Sequence, residues 1–282
     1  MRNKVILYTI ILIVIIAIIG IIYNNTKAKN NDEPQPTIQF TAPAKLTYTV
    51  VQTYPHDTAA YTEGLEWYNG NLWESAGQEG KSYLVQYKQE STIIPAVPKV
   101  TADANLFAEG ITILNDTVYQ LSYTSKIVTL YHAKTMQKLG TLPWINNANG
   151  QGWGLTHTST QLVASDGSNI IYFINPKSLA IERTINVRNQ GTPVDNINEL
   201  EYANGHIYAN VFTTDLILKI NPTTGDVVGI ANIAGILSQY DAAAIQAVGG
   251  ESFLNGIAYN PKQGTFYITG KNWPSMFEIK LP

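Results

Sequence analysis

Residues 109–123, EGITILNDTVYQLSY, contain the pattern that decides the fold, because related copies begin at residues 63, 153, 198 and 255. Each copy reads as a short strand, a tight turn and a second strand. The second residues of the five copies lie 46, 44, 45 and 57 residues apart, and they are Gly64, Gly110, Gly154, Glu199 and Gly256. A repeat of about 45 residues is typical of the four-stranded blades of a β-propeller. The sequence therefore predicts an all-β, five-bladed propeller.

The ends of the repeat region predict how the ring closes. The fifth copy stops at Pro282 after three strands, which would leave the edge of the last blade unpaired. Residues 45–54, KLTYTVVQTY, alternate like a strand, and we expect them to complete that blade. The longer fourth interval contains residues 235–250, GILSQYDAAAIQAVGG, whose alanine content favours one or two helical turns.

The N-terminus predicts membrane attachment. Residues 5–23 are apolar and uncharged and would span about 28 Å as a helix, and Arg2 and Lys4 precede them. By the positive-inside tendency, the remainder would lie outside the cytoplasm. We therefore expect an uncleaved signal anchor at 1–23, a polar linker at 24–42 and the propeller domain at 43–282, in the periplasm or at the cell surface.

The composition excludes several classes of partner and site. Charged residues make up 14% of the chain and the net charge is -3, which gives no reason to expect nucleic acid. The absence of cysteine excludes disulfides, thiolate metal sites and cysteine nucleophiles. The four histidines lack zinc-ligand spacing, and the SDGS at 165–168 is more typical of a tight turn than of a metal loop. We expect a monomer.

One residue per repeat indicates a binding site on the propeller axis. The first strand of each blade runs along the central channel, so the residue before the repeat glycine occurs five times around it. We call these the entrance residues, and they are Glu63, Glu109, Trp153, Asn198 and Asn255. Taken singly, each has a structural explanation, such as a hydrated carboxylate or an amide that caps a turn. Their polarity and divergence nevertheless favour a shared ligand site.

Further side chains follow the second strands of the blades and should approach the same opening. They are Tyr123, Phe212, Lys271 and Trp273. Together with the entrance residues they predict a pocket with aromatic walls, carboxylates, amides and a cation, which suits a small polar ligand. His56 and Asp57 form a second possible proton-transfer pair, but no serine or cysteine nucleophile in a suitable motif accompanies them.

Five segments resemble the plant-type and bacterial glutaminyl-peptide cyclotransferases. They are HDTAAYTEGLEW (56–67), FAEGITILNDTVYQLSY (107–123), GWGLTHTSTQLVASDGS (152–168), NELEYANGHIYANVF (198–212) and LNGIAYNPKQGTFYITGKNWPSMFEI (254–279). The resemblance runs from about residue 46 to the end. It implies a five-bladed propeller acyltransferase that converts the N-terminal glutamine of peptides and proteins into pyroglutamate and releases ammonia. It implies no required cofactor, although a structural calcium ion is compatible with it.

The resemblance also implies roles for individual residues. Glu109 falls on the family's proton-transfer glutamate, while Lys271 and Asn198 fall on residues suited to stabilising the oxyanion. The expected substrate-binding residues are Tyr61, Glu63, Phe107, Tyr123, Trp153, Phe212, Asn255 and Trp273. Three of these depart from the family pattern, because Glu63 replaces a glutamine and Tyr123 and Phe212 replace tryptophans. Glu63 adds a charge near the expected base, which could raise the pKa of one carboxyl.

Two alternatives stay open at this stage. A calcium-dependent, lactonase-like propeller hydrolase would use the axial glutamate and asparagine oxygens as metal ligands. A non-enzymatic, membrane-tethered binding propeller would use the same carboxylates for recognition alone. Chelation of metal separates the first alternative from a cyclotransferase, and replacement of Glu109 by glutamine separates the second.

Overall fold

The computed structural model describes residues 13–24, 40–88, 99–240 and 252–282, in two compact units, Met1–Phe40 and Thr41–Pro282. In the first unit, residues 13–24 are helical. Within the described ranges, no helix is both long enough and apolar enough to cross a membrane. The predicted signal anchor begins at residue 1, so part of it lies outside those ranges, and membrane attachment stays a prediction.

The second unit is built almost entirely of short β-strands. Two strands precede the repeats, β1 (Ala44–Leu46) and β2 (Thr49–Pro55). The first blade contains β3 (Thr62–Tyr68), β4 (Asn71–Ala76), β5 (Tyr83–Lys88) and β6 (Val100–Thr101). The second contains β7 (Ala108–Leu114), β8 (Thr117–Ser122), β9 (Ile127–His132) and β10 (Lys138–Pro143).

The remaining blades follow in chain order. The third contains β11 (Leu155–His157), β12 (Leu162–Ser165), β13 (Ile170–Ile174) and β14 (Ile181–Asn186). A small hairpin of β15 (Arg188–Asn189) and β16 (Thr192–Pro193) comes next. The fourth blade contains β17 (Ile197–Ala203), β18 (His206–Val211), β19 (Leu216–Ile220) and β20 (Val227–Asn232). The fifth contains β21 (Leu254–Asn260), β22 (Thr265–Gly270) and β23 (Ser275–Lys280).

These strands form the predicted five-bladed propeller of four-stranded blades. The first strand of every blade lies innermost, and the five inner strands contact one another in a closed circle, in which β21 meets β3. Apolar side chains fill the space between neighbouring blades. Trp73 and Leu84 of the first blade, for example, pack against Ile111 of the second. Each blade therefore covers the apolar face of the next.

The N-terminal strands close the ring in two places. As predicted, β2 completes the last blade by antiparallel pairing with β23, from Thr49 opposite Lys280 to Pro55 opposite Ser275. The shorter β1 instead pairs in parallel with β20 and adds a fifth strand to the fourth blade. The sequence segment predicted as one strand is therefore divided between two blades, and it ties them together.

Local features of the repeats also match the expectations from sequence. Asn69 and Gly70 have φ angles of 49° and 79°, and Asn204 and Gly205 have angles of 51° and 74°, as a tight type I′ hairpin requires. The expected helix in the long fourth interval is present at Ile236–Tyr240. The rest of that interval, residues 241–250, lies outside the described residues.

The repeat glycines allow the inner strands to approach closely. A Cβ atom on Gly110 would lie 2.5 Å from the carbonyl oxygen of Trp153, and one on Gly154 would lie 2.1 Å from that of Asn198. The fourth blade has Glu199 at this position. Its buried carboxyl accepts the N–H of Leu65 at 3.2 Å and of Ile257 at 2.7 Å. Glu199 therefore links three blades across the axis.

Candidate active site

Irregular strand pairing explains why polar side chains occupy the start of apolar inner strands. In β3, β7, β17 and β21 the pairing register shifts at the entrance residue. A bulge of this kind bends the strand and re-aims a side chain. Glu109, which is 5% exposed, lies at such a shift between Ala108 and Ile111, and so it faces the axis instead of the core between blades.

A repeated backbone hydrogen bond brings a second ring of residues to the same place. The residue that follows the second strand donates its N–H to the carbonyl oxygen two residues before the entrance residue. The pairs are Tyr123 to Phe107, Phe212 to Asn196 and Lys271 to Phe253, each at 2.9 Å, and Gly77 to Tyr61 at 2.8 Å. Equivalent positions in different blades therefore present an aromatic ring, a lysine or a bare glycine to one opening.

One cavity of about 190 Å³ lies where these two rings meet. Its lining contains all three residues predicted to be catalytic and six of the eight predicted to bind substrate. They are Tyr61, Glu63, Phe107, Glu109, Tyr123, Trp153, Asn198, Phe212 and Lys271. The cavity is smaller than the roughly 300–1,000 Å³ of sites for drug-sized ligands, so it suits a single amino-acid side chain.

The other two predicted binding residues lie outside the lining. Asn255 is buried, and its Nδ2 donates to the carbonyl of Thr62 at 2.9 Å and to Oε2 of Glu63 at 3.1 Å. Trp273 turns away from the cavity, and its Nε1 donates to the carbonyl of Ser252 at 3.1 Å. In this arrangement Asn255 orients Glu63, and the ring of Trp273 packs beside Gly270.

The centre of the cavity holds a buried cation between a carboxylate and two rings. The ammonium of Lys271, which is 3% exposed, forms an ion pair with Oε1 of Glu63. The same ammonium lies 4.3 Å from the ring centroid of Tyr61 and 5.8 Å from that of Phe212, within the range of cation–π attraction. Lys271 is thus held in place while its remaining N–H donors stay available to a ligand.

The electrostatics of Glu109 suit proton transfer. Burial raises the pKa of its carboxyl well above the usual range, and the neighbouring Glu63 raises it further, whereas Lys271 lowers it in part. Both carboxyls line the cavity, and Lys271 acts on the pKa of each. Burial also raises the pKa of Glu63, against the opposing effect of Lys271. A displaced pKa in a cleft is typical of an acid–base residue.

Aromatic side chains form the walls. Phe107 meets Tyr61 edge to face with centroids 6.1 Å apart, and Trp153 meets Phe212 in the same way at 5.6 Å. Two glycines that the sequence analysis did not single out make room for these rings. A Cβ on Gly77 would come within 2.4 Å of the Phe107 ring, and one on Gly167 within 2.6 Å of the Trp153 ring. Both glycines follow the second strand of a blade, and this position in the repeat was the signal by which the sequence could have assigned them to the cavity.

The alternative pair His56 and Asp57 has a structural role. His56 is buried, with Nε2 3.1 Å from the carboxylate of Glu74 and Nδ1 2.7 Å from the carbonyl of Trp273. Asp57 instead pairs with Lys99 near the surface. His56 therefore joins the first and last blades and does not line the cavity.

The described residues offer no metal centre. Asp166 of the SDGS segment accepts hydrogen bonds from the backbone of Ser168 and the hydroxyl of Tyr172, and Gly167 has a φ of 81°, so this segment is the tight turn expected from sequence. Across the described ranges, no group of three or more Asp, Glu or His side chains is arranged to hold a metal ion.

Comparison with known proteins agrees with the fold and identifies the family. Residues 15–281 match the family model described as glutamine cyclotransferase. The chain belongs to this family. A glutaminyl-peptide cyclotransferase of Arabidopsis thaliana is 32% identical over 235 residues, which cover 82% of this chain and 70% of the plant protein.

A solved structure gives the same result for the fold. The crystal structure of Myxococcus xanthus glutaminyl cyclase superposes with a TM-score of 0.75 at 36% identity. The match covers 85% of this chain and 98% of the bacterial one. The resemblance drawn from the five sequence segments is therefore confirmed, while the roles of single residues stay predictions.

Proposed function

We propose that this glutamine cyclotransferase family member converts an N-terminal glutamine of peptides and proteins into pyroglutamate and ammonia, with Glu109 as the proton shuttle. One observation carries the proposal. A buried carboxyl of raised pKa, Glu109, shares a cavity the size of one side chain with the ammonium of Lys271 and a wall of aromatic rings. The family match and the two named relatives support it.

The reaction requires one proton to be removed and one to be supplied. The α-amine of the substrate attacks the carbon of its own side-chain carboxamide, so a carbon–nitrogen bond forms and the ring closes. The amine loses a proton, and the departing carboxamide nitrogen gains one and leaves as ammonia. A carboxyl whose pKa lies closer to neutral can serve both steps, and such a group typically contributes about 10²–10⁴-fold to the rate.

The tetrahedral intermediate carries a negative oxygen that needs donors. The ammonium of Lys271 uses one donor on Glu63 and can direct others toward this oxygen. Asn198 is buried in the lining, and its Oδ1 has no hydrogen-bond partner among the described residues. It can therefore accept an N–H of the substrate while its amide nitrogen faces the oxyanion. Loss of one such donor typically costs about 3–4 kcal/mol in the transition state.

The aromatic walls of the cavity favour a bent conformation of the glutaminyl side chain. A glutaminyl side chain must bend back toward its own amine before it can react. A cavity of about 190 Å³ bounded by Trp153, Tyr123 and Phe212 leaves little room for extended conformers. Holding the two reacting groups together is the entropic contribution that enclosed sites make to such reactions.

Replacement of Glu109 by glutamine tests the shuttle. The variant keeps the size of the side chain but cannot exchange the proton, so we expect turnover of a Gln-initiated peptide to fall at least about a hundredfold. Calorimetry should show that the variant still binds the peptide. Wild-type turnover in this variant would contradict the role of Glu109, and binding without turnover in both proteins would favour the non-enzymatic propeller.

Chelation tests the calcium-dependent alternative. We expect turnover to survive EDTA, because the proposed chemistry uses only side chains. Calcium-dependent hydrolysis of a lactone, without cyclisation of the Gln-initiated peptide, would instead favour the lactonase-like hydrolase.

We also propose that the N-terminal segment anchors a monomeric propeller outside the cytoplasm. The uncharged run at residues 5–23, with Arg2 and Lys4 before it, supports this placement. We expect the propeller to be found in the membrane fraction of lysed cells, and to be degraded when protease is added to intact spheroplasts. Recovery in the soluble cytoplasmic fraction would contradict it.

A further inference from the structure

We propose that Glu63 is a second member of the proton-transfer machinery, which shares a single proton with Glu109 while Lys271 balances the one negative charge of the pair. The inference rests on the proposed function. It gives Glu63 the role of a positioning residue, which acts through Glu109 and does not itself attack or protonate the substrate.

The placement of the two carboxyls requires a shared proton. Glu63 and Glu109 start neighbouring inner strands, β3 and β7, and both lie at register shifts that turn them toward the axis. They are 2% and 5% exposed, they line the same cavity, and the charge of Glu63 raises the pKa of Glu109. Two buried carboxylates that line one small cavity repel each other, so we infer that one of the two groups is protonated.

The surroundings decide which group carries the charge. Glu63 receives the ion pair from Lys271 and a hydrogen bond from Nδ2 of Asn255, and both stabilise its anion. Glu109 is therefore the acid of the resting pair, in agreement with the pKa that burial and the charge of Glu63 raise. The pair together carries one negative charge, which matches the single positive charge of Lys271.

Other polar groups near the pair do not change this balance. Glu199 is a further buried carboxyl on an inner strand, whose pKa burial raises well above its usual range and whose oxygens accept the N–H groups of Leu65 and Ile257. The rings of Tyr61 and Tyr123 complete the lining on this side. The face of the Tyr61 ring lies against the ammonium of Lys271.

Sharing a proton allows an acid of raised pKa to act as a base. When substrate binds, the shared proton moves from Glu109 to Glu63, and Glu109 takes the proton of the attacking amine. Glu109 then gives a proton to the departing nitrogen, which leaves as ammonia, and the proton held by Glu63 returns to Glu109. The pair begins and ends with one proton, so the proton count balances.

The same proton exchange determines when the ammonium of Lys271 has a counter-charge. In the resting site, the ammonium is neutralised by Glu63. When both carboxyls are protonated, the ammonium is left without a counter-charge at the moment when the tetrahedral oxyanion forms beside it. The attraction between Lys271 and Glu63 is therefore replaced by one between Lys271 and the oxyanion. Because this second attraction exists only in the transition state, it raises kcat.

The pH profile of kcat/KM in Glu63→Gln tests this role. Without the neighbouring charge, the pKa of Glu109 keeps the increase caused by burial but loses the increase caused by Glu63, and Glu109 can pair with Lys271 directly. We expect the acidic limb to move to lower pH by about one unit or more, since groups that share a proton interact at that level. We expect kcat to fall more than KM changes, because Glu109 becomes a weaker base.

Glu66→Gln is the matched control, because Glu66 is also a buried inner-strand glutamate but does not line the cavity. Its acidic limb should stay where the wild type has it. An unshifted limb in Glu63→Gln, or an equal shift in both variants, would overturn the proposal.

Carbon-13 NMR of labelled glutamate side chains tests the shared proton without substrate, and in wild type if the variant does not fold. We expect Glu63 and Glu109 to titrate together in two steps, and Glu109 alone to titrate in one step in Glu63→Gln. Independent titration of the two groups in wild type would overturn the proposal. If wild type forms no pyroglutamate although the titrations are coupled, the proposed function fails and the role of Glu63 in it fails too.

Discussion

At the scale of the residue, the chemistry of Glu109 follows from its position in the repeat. The glycine after it lets the inner strands approach, and the register shift turns its carboxyl from the core to the axis. Burial and the neighbouring Glu63 then raise its pKa, while Lys271 opposes them. Three local features thus convert a side chain in an apolar strand into a proton-transfer group.

Replacement of Lys271 by methionine should affect rate and pH dependence together. The variant loses an oxyanion donor, so we expect kcat to fall by about 10²–10³-fold. It also removes the cation that lowers the pKa of Glu109, so the acidic limb of kcat/KM should move to higher pH, opposite to the shift expected for Glu63→Gln. Steady-state kinetics across pH measure both effects. A limb that stays in place would contradict the electrostatic role of Lys271.

Replacement of Gly77 by alanine should disturb the aromatic wall of the cavity and the position of Glu63. The added methyl would lie 2.4 Å from the Phe107 ring and 2.9 Å from Cγ of Glu63, so both side chains must shift. We expect KM for a Gln-initiated peptide to rise several-fold, with circular dichroism still showing a folded propeller. Unchanged KM and kcat would show that the position of the Phe107 ring is not needed.

At the scale of the element, the segment that enters the first blade also fastens the ring. After β2 completes the last blade, His56 binds the carboxylate of Glu74 in the first blade and the carbonyl of Trp273 in the last. Burial alone would lower the pKa of His56, but the Glu74 carboxylate outweighs it and the net pKa is raised. Burial would raise the pKa of Glu74, but His56 and its hydrogen bonds lower it. The pair is therefore a buried ion pair at the place where the ring closes.

Replacement of His56 by glutamine should destabilise the propeller. It leaves the buried carboxylate of Glu74 without a counter-ion, and breaking such a pair costs about 3–5 kcal/mol. Urea unfolding measures the loss. Lys99→Gln is the control, because it breaks the exposed pair with Asp57, which is worth at most about 1 kcal/mol. Equal losses in the two variants would contradict the account of the ring closure.

The contribution of the His56–Glu74 pair should also depend on pH. The raised pKa of His56 means that its share is present below the unfolded pKa of about 6.5 and is lost as pH rises through the folded value. The lowered pKa of Glu74 means that its share is present above its unfolded pKa and is lost as pH falls through the folded value. The difference in unfolding free energy between wild type and His56→Gln should therefore be largest at mildly acidic pH.

At the scale of the whole molecule, the inner strands of the propeller carry buried glutamates that do not line the cavity. Burial raises the pKa of Glu66 to about 8 and raises those of Glu199 and Glu201 well above their usual range. Thr112 donates to Glu66 at 2.8 Å. In the folded protein these glutamates stay protonated at pH values at which they would be ionised in the unfolded chain.

The propeller should therefore lose stability as pH rises from about 5 toward 8. Above the unfolded glutamate pKa of about 4.3, the folded state holds protons that the unfolded state releases, so ionisation favours unfolding. Glu66→Gln should flatten the decline in unfolding free energy across this window, because the amide does not titrate. A wild-type stability that stays constant or rises over the window would contradict the raised pKa values.

Symmetry explains how much could be predicted from the sequence. A 45-residue repeat fixes five blades, and equivalent positions in the blades must lie at equal depth, so Glu109, Trp153 and Lys271 could be assigned to one cavity. Side-chain direction is not fixed by the repeat. Asn255 turns to Glu63 and Trp273 turns to Ser252, because their neighbours offer an acceptor there.

Pairing between segments far apart in the chain was the other feature that the sequence could not predict. The partner of β1 lies more than 180 residues away in β20, and nothing in the local alternation of residues 45–54 shows that they divide between two blades. The axial carboxyls left a signal in the period-two spacing of Glu199 and Glu201, but alternation alone does not show that both face the axis.

The most direct test of the account is the mass spectrum of a Gln-initiated peptide after incubation with the protein. The account predicts that the peptide loses the mass of one ammonia molecule and that an N-acetylated copy of the same peptide, whose nitrogen cannot attack, stays intact. An unchanged Gln-initiated peptide, with circular dichroism showing a folded propeller, would contradict it.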